Sequence, residues 1–363
     1  MFTLAHLSDP HLAPLPEPSW RELLGKRVTG YINWKRKRRF VHDPEALARI
    51  VADLKAQGAD HVAVTGDIAN IALAAEFRRG RDWLESLGSA TEVTFVPGNH
   101  DWNHWGKRGW DYVLNQQQWI DSLKDESIVL SPRDGCPGPV LVNIDEHHLL
   151  LILDTQWMLH RWEKPGKSAC GSQSVDDVLR RISDIFEQNS HKRIIVAAHH
   201  PLITYGEHGG VFSLRSHIFP LTELSKNLYI PLPLIGSIYP LYRKWFGHIQ
   251  DTAHRSYRKF AQAILAIMAR HPGSIFVAGH EHALQYIVKD GVHVIVSGTG
   301  AKTEHVRKKQ YAVLATDVRG FVQVSTFVDG TVSLHFFQVD AEHPGGKEIF
   351  TQYLQMSKQH QYR

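Results

Sequence analysis

EVTFVPGNHD, residues 92–101, is the stretch from which the rest of the chain can be read. An apolar, β-branched run from Glu92 to Val96 breaks at once into Gly98-Asn99-His100-Asp101. Buried strands that end in small polar clusters are how α/β proteins present chemistry, because their ligand sites lie outside the carboxyl ends of strands. The same construction recurs on both sides. Thr3 to Ser8 runs into Asp9-Pro10-His11, and His61 to Thr65 into Gly66-Asp67. Arg193 to Ala198 ends at His199-His200-Pro201, and Ser274 to Ala278 at Gly279-His280-Glu281-His282. Leu149 to Leu153 and His293 to Ser297 read as two more buried strands. Between them lie helical patterns. Pro44 to Gly58 opens on Asp43-Pro44 as cap and first-turn proline and closes on glycine, and Ser174 to Gln188 and Ser256 to His271 look similar. Phe321 to Phe327 and Val332 to Phe337, separated by Asp329-Gly330, predict a hairpin. The alternation predicts an α/β architecture.

The five clusters share one donor chemistry: carboxylate, amide oxygen and imidazole, without thiolate. That set suits Mn, Fe, Zn or Ni and argues against a structural zinc knot. Asp9 and His11, like His280 and His282, are two residues apart, so an extended backbone would turn both members of a pair to one side. An aspartate between two such groups is the natural bridge. Two cations about 3.5 to 4 Å apart can acidify a water, orient an ester and stabilise both oxygens of an in-line displacement.

D-x-H, GD, GNHD, H-x-P and GHxH, in this order from residue 4 to about 300, resemble the calcineurin-like metallophosphoesterase superfamily. The resemblance implies a two-sheet β-sandwich flanked by helices, which periodicity alone does not separate from a doubly wound sheet. It implies that Asp9, His11, Asp67 and His282 hold one divalent ion and Asp67, Asn99, His199 and His280 a second, with manganese foremost. His100 is implied as the acid toward the leaving oxygen, with Asp101 as its orienting partner. His199 is preferred to His200, because adjacent strand-end residues point oppositely. The remaining histidines among the 24 are read as surface or structural residues. Glu281 is expected to face away from the ions, His104 is a weak substrate-contact candidate, and Ser297-Gly298-Thr299-Gly300 is either a tight turn or a row of N–H groups for a phosphate.

Two segments interrupt the pattern and read as cap-like insertions, at about 18–42 and 205–250. The first interleaves Arg21, Lys26, Arg27 and Lys35 to Arg39 with Trp20, Leu23, Leu24, Tyr31, Trp34 and Phe40. The bland reading is a solvated basic face. The functional one is contact with an anionic amphiphile or membrane surface through 20–40 and 205–245, with nucleic acid as the rival use of the same charges. The frame is a metallophosphoesterase domain over 1–340 and a C-terminal tail over 341–363.

A hydrophobic fraction of 43% and a charged fraction of 21% belong to a globular chain, and a formal charge of +4 is too small to imply nucleic acid by itself. Cys136 and Cys170 form neither a metal pair nor a disulfide framework. The N-terminus lacks the basic and apolar regions of a signal peptide. No apolar run reaches the roughly 18 residues of a spanning helix, so the expectation is a cytoplasmic protein, with peripheral contact at the inner membrane face if the insertions bind lipid. The expected activity is hydrolysis of a phosphodiester or pyrophosphate bond, on a nucleotide-linked lipid such as UDP-diacylglucosamine or on a cyclic nucleotide. A nuclease and a catalytically silent metal-binding scaffold are the alternatives.

Overall fold

The computed structural model describes residues 1–23, 26–88, 92–102, 129–130, 138–159, 172, 174–223, 228–247, 251–327 and 329–354. Leu24, His104, Cys136 and Cys170 lie outside the described residues. In chain order the first half contains β1 (Phe2–Leu7), α1 (Lys26–Arg36), α2 (Pro44–Gln57), β2 (His61–Val64), α3 (Ala74–Leu87), β3 (Val93–Phe95), α4 (Asn99–Trp102), β4 (Val129–Leu130), β5 (Val140–Asn143) and β6 (His148–Leu153). Then come α5 (Thr155–Leu159), α6 (Val175–Gln188), β7 (Arg193–Ala198), α7 (Leu214–Ile218), α8 (Pro233–Trp245) and α9 (Arg255–Ala269). The chain finishes with β8 (Ile275–Ala278), β9 (Leu284–Lys289), β10 (Val292–Ser297), β11 (Ala312–Thr316), β12 (Gly320–Thr326), β13 (Val332–Gln338) and β14 (Lys347–Leu354).

The strands form two mixed sheets, in the orders β14-β13-β12-β1-β2-β3-β4 and β11-β9-β10-β8-β7-β6-β5. Alternation along each central strand explains why the sheets pack as they do. β1 sends Leu4 between the sheets and Ala5 and Leu7 outward beneath Leu47, Ile50 and Leu54 of α2. β7 sends Ile195 and Ala197 inward and Ile194, Val196 and Ala198 outward beneath α6 and α9. Strands buried on both faces have no polar side to show, which is why these segments read as unbroken apolar runs. The result is a four-layer α/β/β/α sandwich, the architecture that the resemblance implied. The hairpin forms as expected, with Phe321 opposite Phe337 and Thr326 opposite Val332.

The boundary drawn at 341 needs correction. β14 pairs with β13 along its length, and Leu354 is buried in the layer between the sheets with Phe350 packed beside it. Residues 347–354 therefore belong to the sheet. Lys347, Glu348 and Tyr353 are its exposed positions, and a half-solvated edge strand has no continuous apolar run to announce it.

The first insertion packs through Trp34 against Leu15, Ile71 and Leu73, and Arg27 donates to the carbonyls of Ile71 and Ala72. Trp20 and Phe40 stay exposed. In the second insertion α7 packs against α8. Among the described residues no helix is long and apolar enough to cross a membrane.

Candidate metal centre

The carboxyl ends of β1, β2 and β3 in one sheet and of β7 and β8 in the other meet at one edge of the sandwich, and the five clusters occupy the loops that leave them. Those loops are not extended. Asp9 (φ 56°), His11 (φ 37°), Asp67 (φ 55°) and His280 (φ 66°) all lie in the left-handed region. The expected extended geometry of the Asp9/His11 and His280/His282 pairs is thus replaced by tight turns. Such backbone persists where surrounding structure over-determines it, as at sites of function. Gly98 is required by close approach, since a Cβ there would run into the carboxylate and backbone of Asp67.

Within this frame the donors converge. Asp9, His11 and His282 place a ligand atom each within 4.8 Å of one another, as do Asp9, Asp67 and His199. One oxygen of Asp67, Oδ2, stands 3.7 Å from His11 Nε2 and 3.6 Å from His199 Nε2. Asn99 Oδ1 lies 3.1 Å from the same His199 nitrogen. The far nitrogen of each imidazole fixes its orientation. His199 Nδ1 donates to the Thr65 carbonyl (2.7 Å) and His11 Nδ1 to that of Ala69 (3.1 Å), which leaves both Nε2 lone pairs facing Asp67. His280, whose backbone N–H donates to Asp9 Oδ2 (2.9 Å), groups with His199 and His200.

The electrostatics call for cations. Asp9 Oδ1, His282 Nδ1 and His200 Nε2 are buried without a hydrogen-bond partner, an arrangement that is unfavourable unless something else satisfies these lone pairs. Burial, and then the neighbouring Asp67, raises the Asp9 carboxyl well above the usual range, and burial lifts Asp67 itself to about 7. Crowded carboxylates that resist ionisation are what a pair of dications would stabilise in charged form. Burial also holds His11 and His282 well below the ordinary imidazole value and His199 down at about 3, so the rings are neutral, the form that binds metal. The residues present therefore fit a pair of divalent ions.

Asp101 departs from the expected role. Its Oδ2 accepts from the backbone N–H groups of Asp67 and Gly98, both at 2.8 Å, and its Oδ1 from that of Ala69 at 2.9 Å. It ties the Asp67 loop to the Gly98 loop. His100 is oriented instead by the Asn70 carbonyl, to which Nδ1 donates (2.9 Å), so that Nε2 accepts from Arg38 Nη2 (3.0 Å). His200 Nδ1 meets the Thr155 hydroxyl at 2.8 Å. Glu281 is buried and accepts from the Thr204 hydroxyl and the His208 amide. The Ser297–Gly300 segment is a packed turn: Ser297 Oγ contacts His6 and the Gly300 N–H donates to the Ser8 carbonyl.

The donors open into a cleft of about 310 Å³ whose walls include Arg38 from the first insertion and Tyr239 and Arg243 from α8 of the second. Arg243 binds Asp251 through two nitrogens, Asp251 accepts from His208 Nδ1 (3.0 Å), and the His208 ring lies 3.9 Å from that of His280. Lys302, paired with Glu304, completes the basic wall. The sequence reading missed His208, Arg243, Asp251 and Lys302. Arg38 carried no signal beyond the basic run it sits in.

A family model described as calcineurin-like phosphoesterase matches residues 2–298. No curated protein matches by sequence. Among solved structures the chain is similar to the purple acid phosphatase PPD1 of yellow lupin, with 11% identity over 99% of this chain and 54% of that one and a TM-score of 0.56. It is also similar to PhoD, with 10% identity over 98% and 69% of the two chains and a TM-score of 0.56. GAP50, described as the anchor in the inner membrane complex of Plasmodium, shares 12% identity over 98% and 89% at a TM-score of 0.52. At these identities the likeness is one of fold.

Proposed function

The chain belongs to the calcineurin-like phosphoesterase family and is a hydrolase of phosphoric esters, and from that premise we propose that it works through two divalent ions, manganese foremost, on a phosphodiester or pyrophosphate bond. The position of Asp67 carries the reading. A single carboxylate oxygen faces Nε2 of His11 on one side and Nε2 of His199 on the other. With Asp67 between them, Asp9, His11 and His282 would hold one ion and Asn99, His199 and His280 the other. Ions held there supply the Lewis acidity that activates water and neutralises developing phosphoryl charge.

The chain's own groups do the rest. Asp101 fixes the two loops that carry Asp67 and Asn99. His100 presents Nε2 toward the cleft wall; once Arg38 turns its guanidinium to a phosphate oxygen, Nε2 can take up a proton from water and pass it to the leaving oxygen. Among the described residues Arg38 is the cationic side chain of the cleft wall without a carboxylate partner, while Lys302 and Arg243 are held in place by Glu304 and Asp251. A nucleotide-linked or anionic lipid, such as UDP-diacylglucosamine, is the substrate class best matched to a polar cleft whose wall is shared with the exposed apolar helix α8. A peripheral location at the cytoplasmic face of a membrane follows from that reading.

Asp67→Ala is the decisive variant. It should lose bound metal, measured by elemental analysis, together with hydrolysis of bis-p-nitrophenyl phosphate. Retention of two metal equivalents would refute the bridging role.

A further inference from the structure

α8 packs in the reverse of the usual manner for a surface helix. Gly236 and Pro240 are the residues it buries, and a Cβ on Gly236 would strike the His217 carbonyl and the Pro220 ring. Most of its large apolar side chains are exposed. Leu234 is 87% exposed, Ile238 64% and Trp245 66%. With Leu241 they recur at i, i+4, i+7 and i+11, which makes one continuous stripe along the helix. Phe40, two positions from the cleft-lining Arg38, is exposed as well.

The rim of this stripe is cationic. Lys244 is exposed on the helix, and Arg307, Lys308 and Lys309 are exposed beside it. Burial and the nearness of Lys244 and Arg307 depress Lys309, so the three charges share one patch. Arg307 also lines the groove formed by Leu214 and Pro233. Between His208 and Gln250 the sequence offers a single carboxylate, Glu223. A second copy of the chain, joined by two-fold symmetry, would set this cationic rim against its own image and repel it. A surface that is apolar within and anionic at its boundary complements both features. The helix has 13 residues, a length of about 20 Å, which is too short to cross a bilayer of about 30 Å and suited to lying in its surface.

We propose that α8 is a membrane-docking surface: the Leu234–Ile238–Trp245 stripe enters the acyl boundary of an anionic bilayer while Lys244 and Arg307 to Lys309 meet headgroup phosphates. Tyr239 and Arg243 stand on the same helix and line the metal cleft, so adsorption brings the cleft mouth to headgroup level. The proposal rests on the amphiphile reading for its purpose. Adsorption itself needs no hydrolysis and is measured separately.

The experiment is co-sedimentation of the full chain with vesicles of phosphatidylcholine alone and of phosphatidylcholine mixed with phosphatidylglycerol, whose headgroups give the surface a negative potential. The wild type should bind the anionic vesicles at least tenfold more strongly than the neutral ones. Leu234→Ser/Ile238→Ser/Trp245→Ser should lose most of the binding to anionic vesicles while hydrolysing soluble bis-p-nitrophenyl phosphate at the wild-type rate. Lys244→Glu/Lys309→Glu should lose the preference for anionic lipid. A wild type that stays in the supernatant, or a triple variant that sediments like it, overturns the proposal. So does a wild-type dimer that the triple variant converts to monomer, which would give the face to a second copy. Loss of bis-p-nitrophenyl phosphate hydrolysis by the wild type would instead strike the catalytic reading and leave the sedimentation result standing.

Discussion

Asp101 commits both carboxylate oxygens to three backbone N–H groups, and that geometry separates it from His100, its neighbour in sequence. In Asp101→Asn one oxygen becomes an amide NH₂, which cannot accept, so at least one buried N–H is left unpaired at a cost of about 1–3 kcal/mol. The loops bearing Asp67 and Asn99 should loosen. The expected outcome is reduced metal content by elemental analysis together with a lower Tm. His100→Ala should keep its metal and lose turnover, by roughly 10²- to 10⁴-fold on substrates with poor leaving groups. If Asp101→Asn holds a full complement of metal and fails only in turnover, the orienting role read from the sequence would be the right one. That role was implied by the family resemblance, and the local backbone shows why the two side chains part: Asn99 to Trp102 form a helical turn, in which neighbours in sequence leave in different directions. The ligand clusters were legible because each sits directly after an apolar run. His208, Asp251 and Lys302 were not, because they come from irregular segments and acquire meaning only through what they face.

At the scale of elements, α8 is tied to the metal centre by the chain of contacts from Arg243 through Asp251 and His208 to His280. Burial alone would raise the Asp251 carboxyl, but hydrogen bonds from His208 and Arg243 hold it down at about 2. A depressed carboxylate contributes stability that is present above its unfolded pKa of about 3.9 and disappears as pH falls through the folded value. Asp251→Asn should therefore be less stable than the wild type from pH 5 to 7, by about 3 kcal/mol for a broken buried pair. The gap in Tm should narrow as the pH is lowered from about 4 toward 2. A gap independent of pH would mean that the pair contributes packing alone. Buried apolar strands were the most legible: β1, β2, β7, β8 and β10 read cleanly, whereas β5, β11 and β14, which stand at sheet edges, did not. Neither did β9, which lies inside its sheet but is interrupted in sequence by Gln285 and ends on Lys289. α3 was missed because Gly80 interrupts its pattern, although the glycine is buried against Ile68 and so belongs to the packing.

Across the whole molecule, the candidate cage draws on loops from Asp9 to His282 and from both sheets, so ions bound there would hold the two sheets together at their shared edge. A ligand that binds only the folded state adds about 2.7 kcal/mol at a concentration 100-fold above its Kd. Chelation should lower the Tm of the wild type by several degrees, reversibly on restoring Mn²⁺, and should leave Asp67→Ala unmoved. Equal Tm values with and without chelator would show that the cage does not need its ions to close. Fold class at this scale was beyond periodicity and came through the family resemblance, since layered and doubly wound sheets present the same buried strands.

The placement of β1 bears on how such a molecule is made. It lies at the centre of its sheet, with β2 on one flank and β12 on the other, Phe2 opposite Thr326. A nascent chain leaving the ribosome can give this strand its first neighbour early, but the second arrives only after some three hundred more residues have been synthesised. Until then an apolar strand shows an open edge to the cell. Premature termination before residue 320 would make that exposure permanent, and the product should be a target for chaperones and proteases rather than a smaller enzyme.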